Sequence, residues 1–447
     1  MLRYIAMTLV AAFMLAALGC ATQGTRVGRA IEQPEVVKKA VQTYTLKNGV
    51  NLIVKRTSKG SPTALQVWVS GGSATDPADK PGLAHFVEHM LFTGSMHVPK
   101  GKAEQYLESM GGEFSGHTGR DFSYMGVTLP GQGWERGLDI VYDMVAFPAL
   151  TQAQVDKQKK VVALEIKEAR RDTDSLLMDD LFESAYATHP YRRPAYGTVE
   201  ALSGYTIDDA TSYYQRTYLP SNMTVVVVGD VKTADVKTAV DNTFGKLVPA
   251  PYARPKVPEE YNQLAKREKD VDAPVKLTYM AVGWHVCAAA DPDIYPMEVL
   301  GAVLGLGRGS RLYMELRERM GLVYDVDTEL LPMKDPGMLV TLVRLKEDDM
   351  TRVTAEILRQ MNKLKDEKVS DAELARALNS LESSRLVDSE TADGQAYSLG
   401  YWYTVYGKKD PEEYVKEIRK VTPADVQRVA QKYLGEGNYT VSVIKPE

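Results

Sequence analysis

The sequence predicts an α+β fold of two homologous domains, each a mainly antiparallel β-sheet packed with helices. Helical and strand-like segments occur in both halves, and a proline-rich stretch of mixed charge at 248–272 separates them. The halves also end alike. Tyr218–Val225 resembles Tyr433–Val441, and each stretch follows a helix that begins after Thr with Asp three residues later. We interpret this as an internal duplication; a chance likeness of two helix-to-strand junctions is the alternative.

Composition restricts the classes of function. The chain has 447 residues, of which 44% are hydrophobic and 25% charged, as expected for a folded protein of more than one domain. The formal net charge is −5 and no dense basic cluster occurs, so nucleic-acid binding has no support. The two cysteines, Cys20 and Cys287, exclude a cysteine-cluster metal site. Cys287 lies in an apolar stretch and is expected to be a small core residue.

The N-terminus predicts export. Arg3 is followed by an apolar run from Tyr4 to Leu18 and then by Gly19-Cys20, which indicates a signal peptide over residues 1–19. Residues 15–20 resemble a bacterial lipoprotein processing site, although Ala17 stands where Leu is usual. We therefore expect a lipid on Cys20, a tether over 20–40 and an outer-membrane lipoprotein facing the periplasm, since Ala21 is not the Asp that signals inner-membrane retention. Ordinary cleavage nearby, with Cys20 incidental, is the alternative.

The first domain is expected at 41–247. Asn48-Gly49 between alternating apolar residues predicts a hairpin. Thr151 and Thr206 are expected to cap helices. The remaining predicted strands are 65–69, 113–118, 122–129 and 223–228; the predicted helices are 83–92, 102–110, 133–146, 151–171, 175–187 and 206–218.

The second domain is expected at 273–447, after a linker at 248–272. Ser370 with Glu373, and Thr422 with Asp425, predict the starts of two helices. The other predicted helices are 291–305, 310–320 and 349–364; the predicted strands are 275–284, 323–331, 337–345 and 439–444.

One pentapeptide, His85-Phe86-Val87-Glu88-His89, predicts a metal site. Histidines four residues apart lie on one helix face, so both imidazoles can bind one ion, and Glu88 can serve as a general base. A catalytic zinc site needs a third protein ligand. Glu165, on the long helix that Thr151 caps, is the best candidate, and Glu168 is its competitor one turn on. His117 could make a secondary metal contact, although a polar strand histidine is the simpler interpretation.

Residues Gly82–Phe92 around this motif resemble the pitrilysin or insulinase-like zinc peptidases, the family that includes mitochondrial processing peptidase. The resemblance implies a Zn²⁺ cofactor held by His85, His89 and Glu165, because the family spaces its third ligand much as Glu165 is spaced from His89 (165 − 89 = 76). It also implies that the domains form a half-clamshell. The first would be a zinc-binding peptidase domain and the second a peptidase-like domain without its own metal motif.

The second half carries a further point of resemblance. Ser310–Tyr324 is similar to the family's substrate-gripping segment, in which an Arg and a Tyr are seven apart, as Arg317 and Tyr324 are (324 − 317 = 7). The resemblance implies that Arg317 holds a substrate carbonyl and that Tyr324 donates a hydrogen bond to the carbonyl under attack. Without it, Arg317 would be interpreted as a surface charge and Tyr324 as the edge of a core.

Two positions depart from the family. Many members carry Glu where this chain has Gln158, two turns before Glu165, so support of the metal site is expected to be weaker. The family also favours Asn-Ala where this chain has Ser115-Gly116. That segment is normally the sheet edge to which an extended peptide adds as a strand, which puts specificity in doubt more than activity.

The resulting expectation is a zinc endopeptidase that cleaves short or unfolded peptides in a closed chamber. Because the metal motif lies in one half and the Arg317–Tyr324 pair in the other, the substrate should lie between halves. Family members with two domains per chain work as pairs, so a homodimer is expected, or a heterodimer with a related peptidase chain. A catalytically weak or inactive peptide-binding or assembly subunit is the alternative, and Gln158 is its best argument.

Overall fold

A computed structural model of the chain describes residues 41–99, 101–131, 133–407 and 413–447. The predicted signal peptide at 1–19, the lipid site at Cys20 and the tether at 20–40 lie outside the described residues and stay predictions. Within the described part, no helix combines the length and the apolar character that crossing a bilayer requires.

The first sheet contains six strands in the order β1-β2-β6-β3-β5-β4. β2 and β6 pair in parallel and the other neighbours pair antiparallel. The hairpin predicted at Asn48-Gly49 joins β1 to β2, and Gly49 has the positive φ that its turn requires. The strands are β1 (Val41–Thr45), β2 (Asn51–Arg56), β3 (Thr63–Ser70), β4 (Glu113–Thr118), β5 (Phe122–Leu129) and β6 (Met223–Gly229).

The second sheet contains five strands in the order β7-β11-β8-β10-β9. β7 and β11 pair in parallel, and the other neighbours pair antiparallel. The strands are β7 (Arg267–Ala273), β8 (Thr278–His285), β9 (Val323–Leu331), β10 (Met338–Leu345) and β11 (Tyr439–Pro446).

The two sheets have one topology. Without β1, the first sheet runs β2-β6-β3-β5-β4, and strand for strand this matches β7-β11-β8-β10-β9, including the single parallel pair. The capping boxes predicted at Thr206 and Thr422 both form, each just before the helix that leads into the last strand of its sheet. The fold is therefore the predicted α+β pair of homologous domains.

Helices cover both sheets. In the first half they are α1 (Leu83–Leu91), α2 (Lys102–Ser109), α3 (Trp134–Ala146), α4 (Gln152–Ala169), α5 (Thr173–Ala185), α6 (Val199–Ser203), α7 (Ile207–Thr217) and α8 (Thr233–Asn242). In the second half they are α9 (Ile294–Leu304), α10 (Met350–Asp366), α11 (Asp371–Asp388), α12 (Ala392–Val405), α13 (Tyr414–Ile418) and α14 (Pro423–Tyr433). Where the sequence predicts an ordinary helix at 310–320, the structure has a π-helix at Tyr313–Arg319, in which the Met320 N–H bonds the Glu315 carbonyl.

One helix of each half packs on the sheet of the other half. α5 packs on β8 and β11, and α12 packs on β3 and β6. Gly400 of α12 lies directly on Trp68 of β3, where a Cβ would come within 2.2 Å of the indole. Trp68 is fully buried between Tyr124 and Tyr397, one from each half. This exchange gives the two halves a common core, so the second half forms part of the support of the first sheet.

The linker predicted at 248–272 is too long. β7 begins at Arg267 and pairs along its length with β11, so the second domain starts before residue 273. Its sequence, Arg267–Ala273, is mostly charged because β7 is an edge strand with one face in solvent; backbone pairing with β11 forms it rather than apolar packing. Cys287 is buried, as expected for a core residue.

Candidate metal centre

Helix α1 begins at a sharply defined point. The buried Asp76 carboxylate accepts hydrogen bonds from the N–H groups of Gly82, at 2.7 Å, and Ala84, at 2.9 Å. These are N–H groups that a helix start leaves without intrahelical partners. Gly82 has φ of +95° and lies against Gly197, where a Cβ on either residue would clash with the other backbone segment. A side-chain cap and a backbone contact therefore set where the first turn of α1 lies.

The apolar residues of α1 fix its rotation. Leu83, Phe86, Val87 and Met90 are buried against apolar residues of α4 and α7. The remaining face carries His85, Glu88 and His89, in agreement with their spacing.

Three side chains converge where α1 meets α4. His85 Nε2 lies 3.3 Å from Glu165 Oε1, and His89 Nε2 lies 3.0 Å from Glu165 Oε2. One ligand atom from each residue falls within 4.8 Å of the others, and no other such group of three His, Cys, Asp or Glu occurs in the part of the chain that the structure describes. Glu168 and His117 are not members of this group.

The donor set fits zinc. Two imidazole nitrogens and one carboxylate form a known ligand set of catalytic zinc, which leaves one position for water. Tetrahedral bonds of about 2.1 Å place ligand atoms about 3.4 Å apart, and each imidazole nitrogen lies near that distance, at 3.3 and 3.0 Å, from a different oxygen of the Glu165 carboxylate. The Glu165 side chain is 47% exposed and that of His85 10%, so the group opens to solvent on the α4 side.

Charge is balanced within this group. Hydrogen bonds with His85 and His89 hold the pKa of Glu165 well below its usual range, so its carboxylate is ionised. Burial lowers the pKa of His85, but the hydrogen bond with Glu165 and the neighbouring carboxylates outweigh it, and the net shift is upward. The ionised Glu165 carboxylate can bind a divalent cation, and such an ion would displace the proton that the neighbouring carboxylates favour on His85, because only a neutral imidazole binds a metal.

Glu88 lies beside this group with its carboxyl buried. Burial raises the pKa of Glu88 above its ordinary value, while the positive charge on His85 and a hydrogen bond with Thr118 oppose that rise. Thr118 Oγ1 donates to Glu88 Oε2 at 2.5 Å. A buried carboxyl with a raised pKa is the type of group that serves as a general base near neutral pH.

Strand β4 is the edge of the first sheet and lies next to Glu88. Among the described strands it pairs with β5 alone, so its other edge presents backbone groups that no described strand pairs. The Ser115 hydroxyl faces the second half, where it lies 3.4 Å from the Asp393 carboxylate of α12. A Cβ on Gly116 would come within 3.0 Å of Glu88 Oε1. The departure from Asn-Ala thus places a small hydroxyl at Ser115, and at Gly116 a residue so closely covered by Phe92 and Glu88 that a Cβ would come within 2.8 Å of the Phe92 ring.

Arg317 and Tyr324 both lie in the second half, and among the described residues no hydrogen bond or ion pair joins either to the metal ligands. Arg317 is exposed on the π-helix, and Tyr324 is 48% exposed near the start of β9. Among the described residues neither side chain makes a hydrogen bond or an ion pair. Their roles as a substrate grip stay predictions.

Gln158 is buried on α4, two turns before Glu165. His85 Nδ1, the ring nitrogen that does not face Glu165, is buried and has no hydrogen-bond partner among the described residues. Metal-bound histidines usually donate that second N–H to a carboxylate or a carbonyl. That Gln158 weakens the support of the metal site stays a prediction.

Two contacts of the site were not predicted from sequence. The alternation of β4 places Thr118 on the same face as Gly116, but a hydroxyl in a strand does not by itself indicate a partner. The capping of α1 by Asp76 joins residues six and eight apart across a loop, beyond the three-residue spacing of an ordinary cap.

Two family models match the chain. One, described as Insulinase (Peptidase family M16), matches residues 52–199, which include His85, Glu88, His89 and Glu165. The other, described as Peptidase M16 inactive domain, matches residues 204–381, which contain none of the three converging side chains.

Curated relatives span nearly the whole chain. The uncharacterized zinc protease YmxG of Bacillus subtilis is 24% identical over 91% of this chain and 98% of its own length. A probable mitochondrial-processing peptidase subunit beta of Arabidopsis thaliana is 26% identical over 90% of this chain and 78% of its own length. An uncharacterized zinc protease of Mycobacterium tuberculosis, Rv2782c, is 27% identical over 91% of this chain and 93% of its own.

Solved structures share the fold. A protease from Helicobacter pylori superposes with a TM-score of 0.83 at 22% identity, covering 91% of this chain and 99% of that one. A peptidase M16 inactive domain structure from Pseudomonas fluorescens has a TM-score of 0.82 at 19% identity, covering 91% and 98%.

Proposed function

We propose that this chain, which belongs to the insulinase family of zinc peptidases (peptidase family M16), is a zinc-dependent endopeptidase. Its proposed substrates are short or unfolded peptides. The observation that supports this most is the convergence of His85, His89 and Glu165 beside the buried carboxyl of Glu88. A protein that kept this fold but had lost its activity would have no need to retain three metal ligands and a general base side by side.

Zinc, when bound, would supply Lewis-acid chemistry that lowers the pKa of water to about 7 and polarises the peptide carbonyl. His85, His89 and Glu165 would hold the ion. Glu88 takes the proton of the attacking water on its carboxylate and passes it to the amine nitrogen that leaves when the peptide bond breaks. Burial raises the pKa of Glu88 above its ordinary value, which favours uptake of the proton from water.

The substrate is proposed to lie along β4. Its free edge can accept an extended peptide as an added strand, with recognition mostly through backbone groups. Arg317 holds a substrate carbonyl and Tyr324 donates a hydrogen bond to the carbonyl under attack. Both are exposed and lie in the other half, so the peptide would bind between halves in a closed chamber that excludes folded proteins.

The working unit is proposed to be a dimer, in which Arg317 and Tyr324 of one chain serve the metal of the other. A homodimer is favoured because this chain holds both the metal ligands and the Arg317–Tyr324 pair. A heterodimer with a related chain is the second form, since the Arabidopsis relative is by name a subunit. Mixing Glu88→Gln chains with Tyr324→Phe chains distinguishes them: a homodimer that shares its sites recovers activity from two inactive variants.

The enzyme is proposed to act in the periplasm as an outer-membrane lipoprotein anchored through Cys20. The support is the sequence of residues 1–20. Cys20→Ala is expected to release the protein from membranes into the soluble periplasmic fraction. A Cys20→Ala protein that stays membrane-bound, or a wild-type protein that takes up no palmitate analogue, contradicts the anchor.

A quenched-peptide library tests the activity. The purified chain is expected to contain about one zinc ion, to cleave peptides of extended conformation and to lose cleavage on treatment with a chelator. Added zinc should restore it. The alternative is a peptide-binding or assembly subunit without activity, favoured by Gln158 and by the name of the second family match. Peptide binding with no cleavage at any zinc concentration supports that alternative.

A further inference from the structure

We propose that Thr118 is a positioning residue for Glu88, because its hydroxyl holds one oxygen of the Glu88 carboxylate. The inference rests on the proposed function and deepens it, since it assigns the residue that orients the proposed general base. Thr118 touches Glu88 and none of the three metal ligands hydrogen-bonds to it.

The contact is short, buried and part of a chain of hydroxyls. Thr118 Oγ1 lies 2.5 Å from Glu88 Oε2, and both residues are less than a tenth exposed. Ser123 Oγ lies 3.0 Å from Thr118 Oγ1. An ionised carboxylate only accepts, and a hydroxyl has one proton to give, so Thr118 donates to Glu88 and Ser123 donates to Thr118.

The backbone holds this chain of hydroxyls in place. Thr118 and Ser123 are directly paired residues of β4 and β5, at the end of the ladder beside the hairpin turn. Their side chains therefore share one face of the sheet, at the short Cβ separation of a cross-strand pair. α1 packs against both strands, which brings Glu88 onto that face.

Within the described part of the chain, no hydrogen-bond donor contacts the other carboxylate oxygen. Glu88 Oε1 lies over Gly116, where a Cβ would come within 3.0 Å of it. Phe92 also covers Gly116, and its ring packs edge-on to Phe114, 5.7 Å between centroids. The carboxylate thus has one oxygen anchored on Thr118 and one left for proton transfer. Without the anchor, a buried carboxylate turns toward whatever donor or cation is nearest, and here that is the metal-ligand group.

Thr118→Val tests the proposal, because valine keeps the shape and removes the donor. Thr118→Ser keeps the donor and removes a methyl group. Thr63→Val is the matched control: Thr63 is a buried threonine of β3 whose hydroxyl has no hydrogen-bond partner in the described part of the chain. Each variant is assayed for kcat, KM and zinc content on one quenched peptide.

Thr118→Val is expected to lower kcat about 10- to 100-fold, as loss of an orienting contact does, with KM and zinc content unchanged. Thr118→Ser should recover most of kcat, and Thr63→Val should behave as the wild type. If Thr118→Val does not fold, Ser123→Ala replaces it, with a smaller fall in kcat at unchanged KM.

The outcomes distinguish failure of the proposed peptidase function from failure of the proposed role of Thr118. A wild-type protein without zinc-dependent cleavage overturns the proposed function, and the inference with it. An active wild type whose Thr118→Val variant keeps its kcat overturns the inference alone. So does an equal loss in Thr118→Ser, or a fall in zinc content that parallels the fall in kcat, because either would show a merely structural role.

Discussion

The cap on α1 offers the most detailed test of how the fold builds the site. Asp76→Ala removes the carboxylate that accepts from Gly82 and Ala84, and leaves two buried N–H groups at the helix start. Each unsatisfied buried donor costs about 1–3 kcal/mol. Part of that loss is offset, because burial raises the pKa of Asp76 to about 7 and so opposes its ionised form. We expect a net loss of about 2–4 kcal/mol in the free energy of unfolding.

The same change should weaken metal binding. His85 is the third residue of α1, so fraying of the first turn displaces one of the three ligands. Urea unfolding of the metal-free proteins measures stability, and competition with a chromophoric chelator measures zinc affinity. The control is Asp425→Ala, which removes from α14 of the second half the capping-box carboxylate that accepts from the Thr422 N–H, and which should cost about 1 kcal/mol without changing zinc affinity. Equal losses in the two variants, or unchanged zinc affinity in Asp76→Ala, would refute the reasoning.

Three further outcomes are expected. Glu165→Ala should weaken zinc binding about 100-fold or more in chelator competition, because it removes one of three ligands. Glu168→Ala should leave zinc binding unchanged, and equal effects of the two substitutions would contradict the choice of Glu165. Gln158→Glu should slow zinc loss during dialysis against a chelator, because a buried carboxylate two turns before Glu165 adds negative charge near the ion; faster loss would contradict that charge argument. Glu298→Gln should flatten the pH dependence of stability. Burial raises the pKa of Glu298 from 4.5 to about 7, so the folded wild type binds that proton more tightly than the unfolded chain. The free energy of unfolding then decreases between about pH 4.5 and pH 7, by up to about 3 kcal/mol, and the variant should lack this decrease.

Local patterns predicted much of the fold. β4 and β5 have the predicted bounds, and the caps at Thr206, Ser370 and Thr422 form as expected, because each depends on residues at most a few positions apart. α12 was not predicted. Tyr397 of α12 packs on the aromatic residues of the first sheet, whereas Trp402 packs edge-on to Tyr414 of α13 in the second half, so the apolar residues of α12 do not form one stripe. Only the packing between halves makes that segment a helix in this place.

The residues of the metal site also divide into those that a local pattern predicts and those that depend on tertiary packing. His85, Glu88 and His89 could be predicted because helical spacing places them on one face. Glu165 needed the family resemblance, since a glutamate on a capped helix resembles any surface charge until α4 is packed against α1. Thr118 could not be found, because its contact depends on the crossing of β4 and α1. The residues that support the chemistry through tertiary contacts are the part that the sequence leaves open.

Glu88→Gln provides the most direct test of the central claim. Glutamine has nearly the shape of glutamate but cannot accept the proton of water, so zinc binding and catalysis separate. Wild-type protein and variant are compared for zinc content and for cleavage of the same peptide. We predict about one zinc ion per chain in both and a loss of at least about 100-fold in kcat for the variant. A variant with full zinc-dependent activity, or a wild-type chain that binds no zinc, would contradict the account.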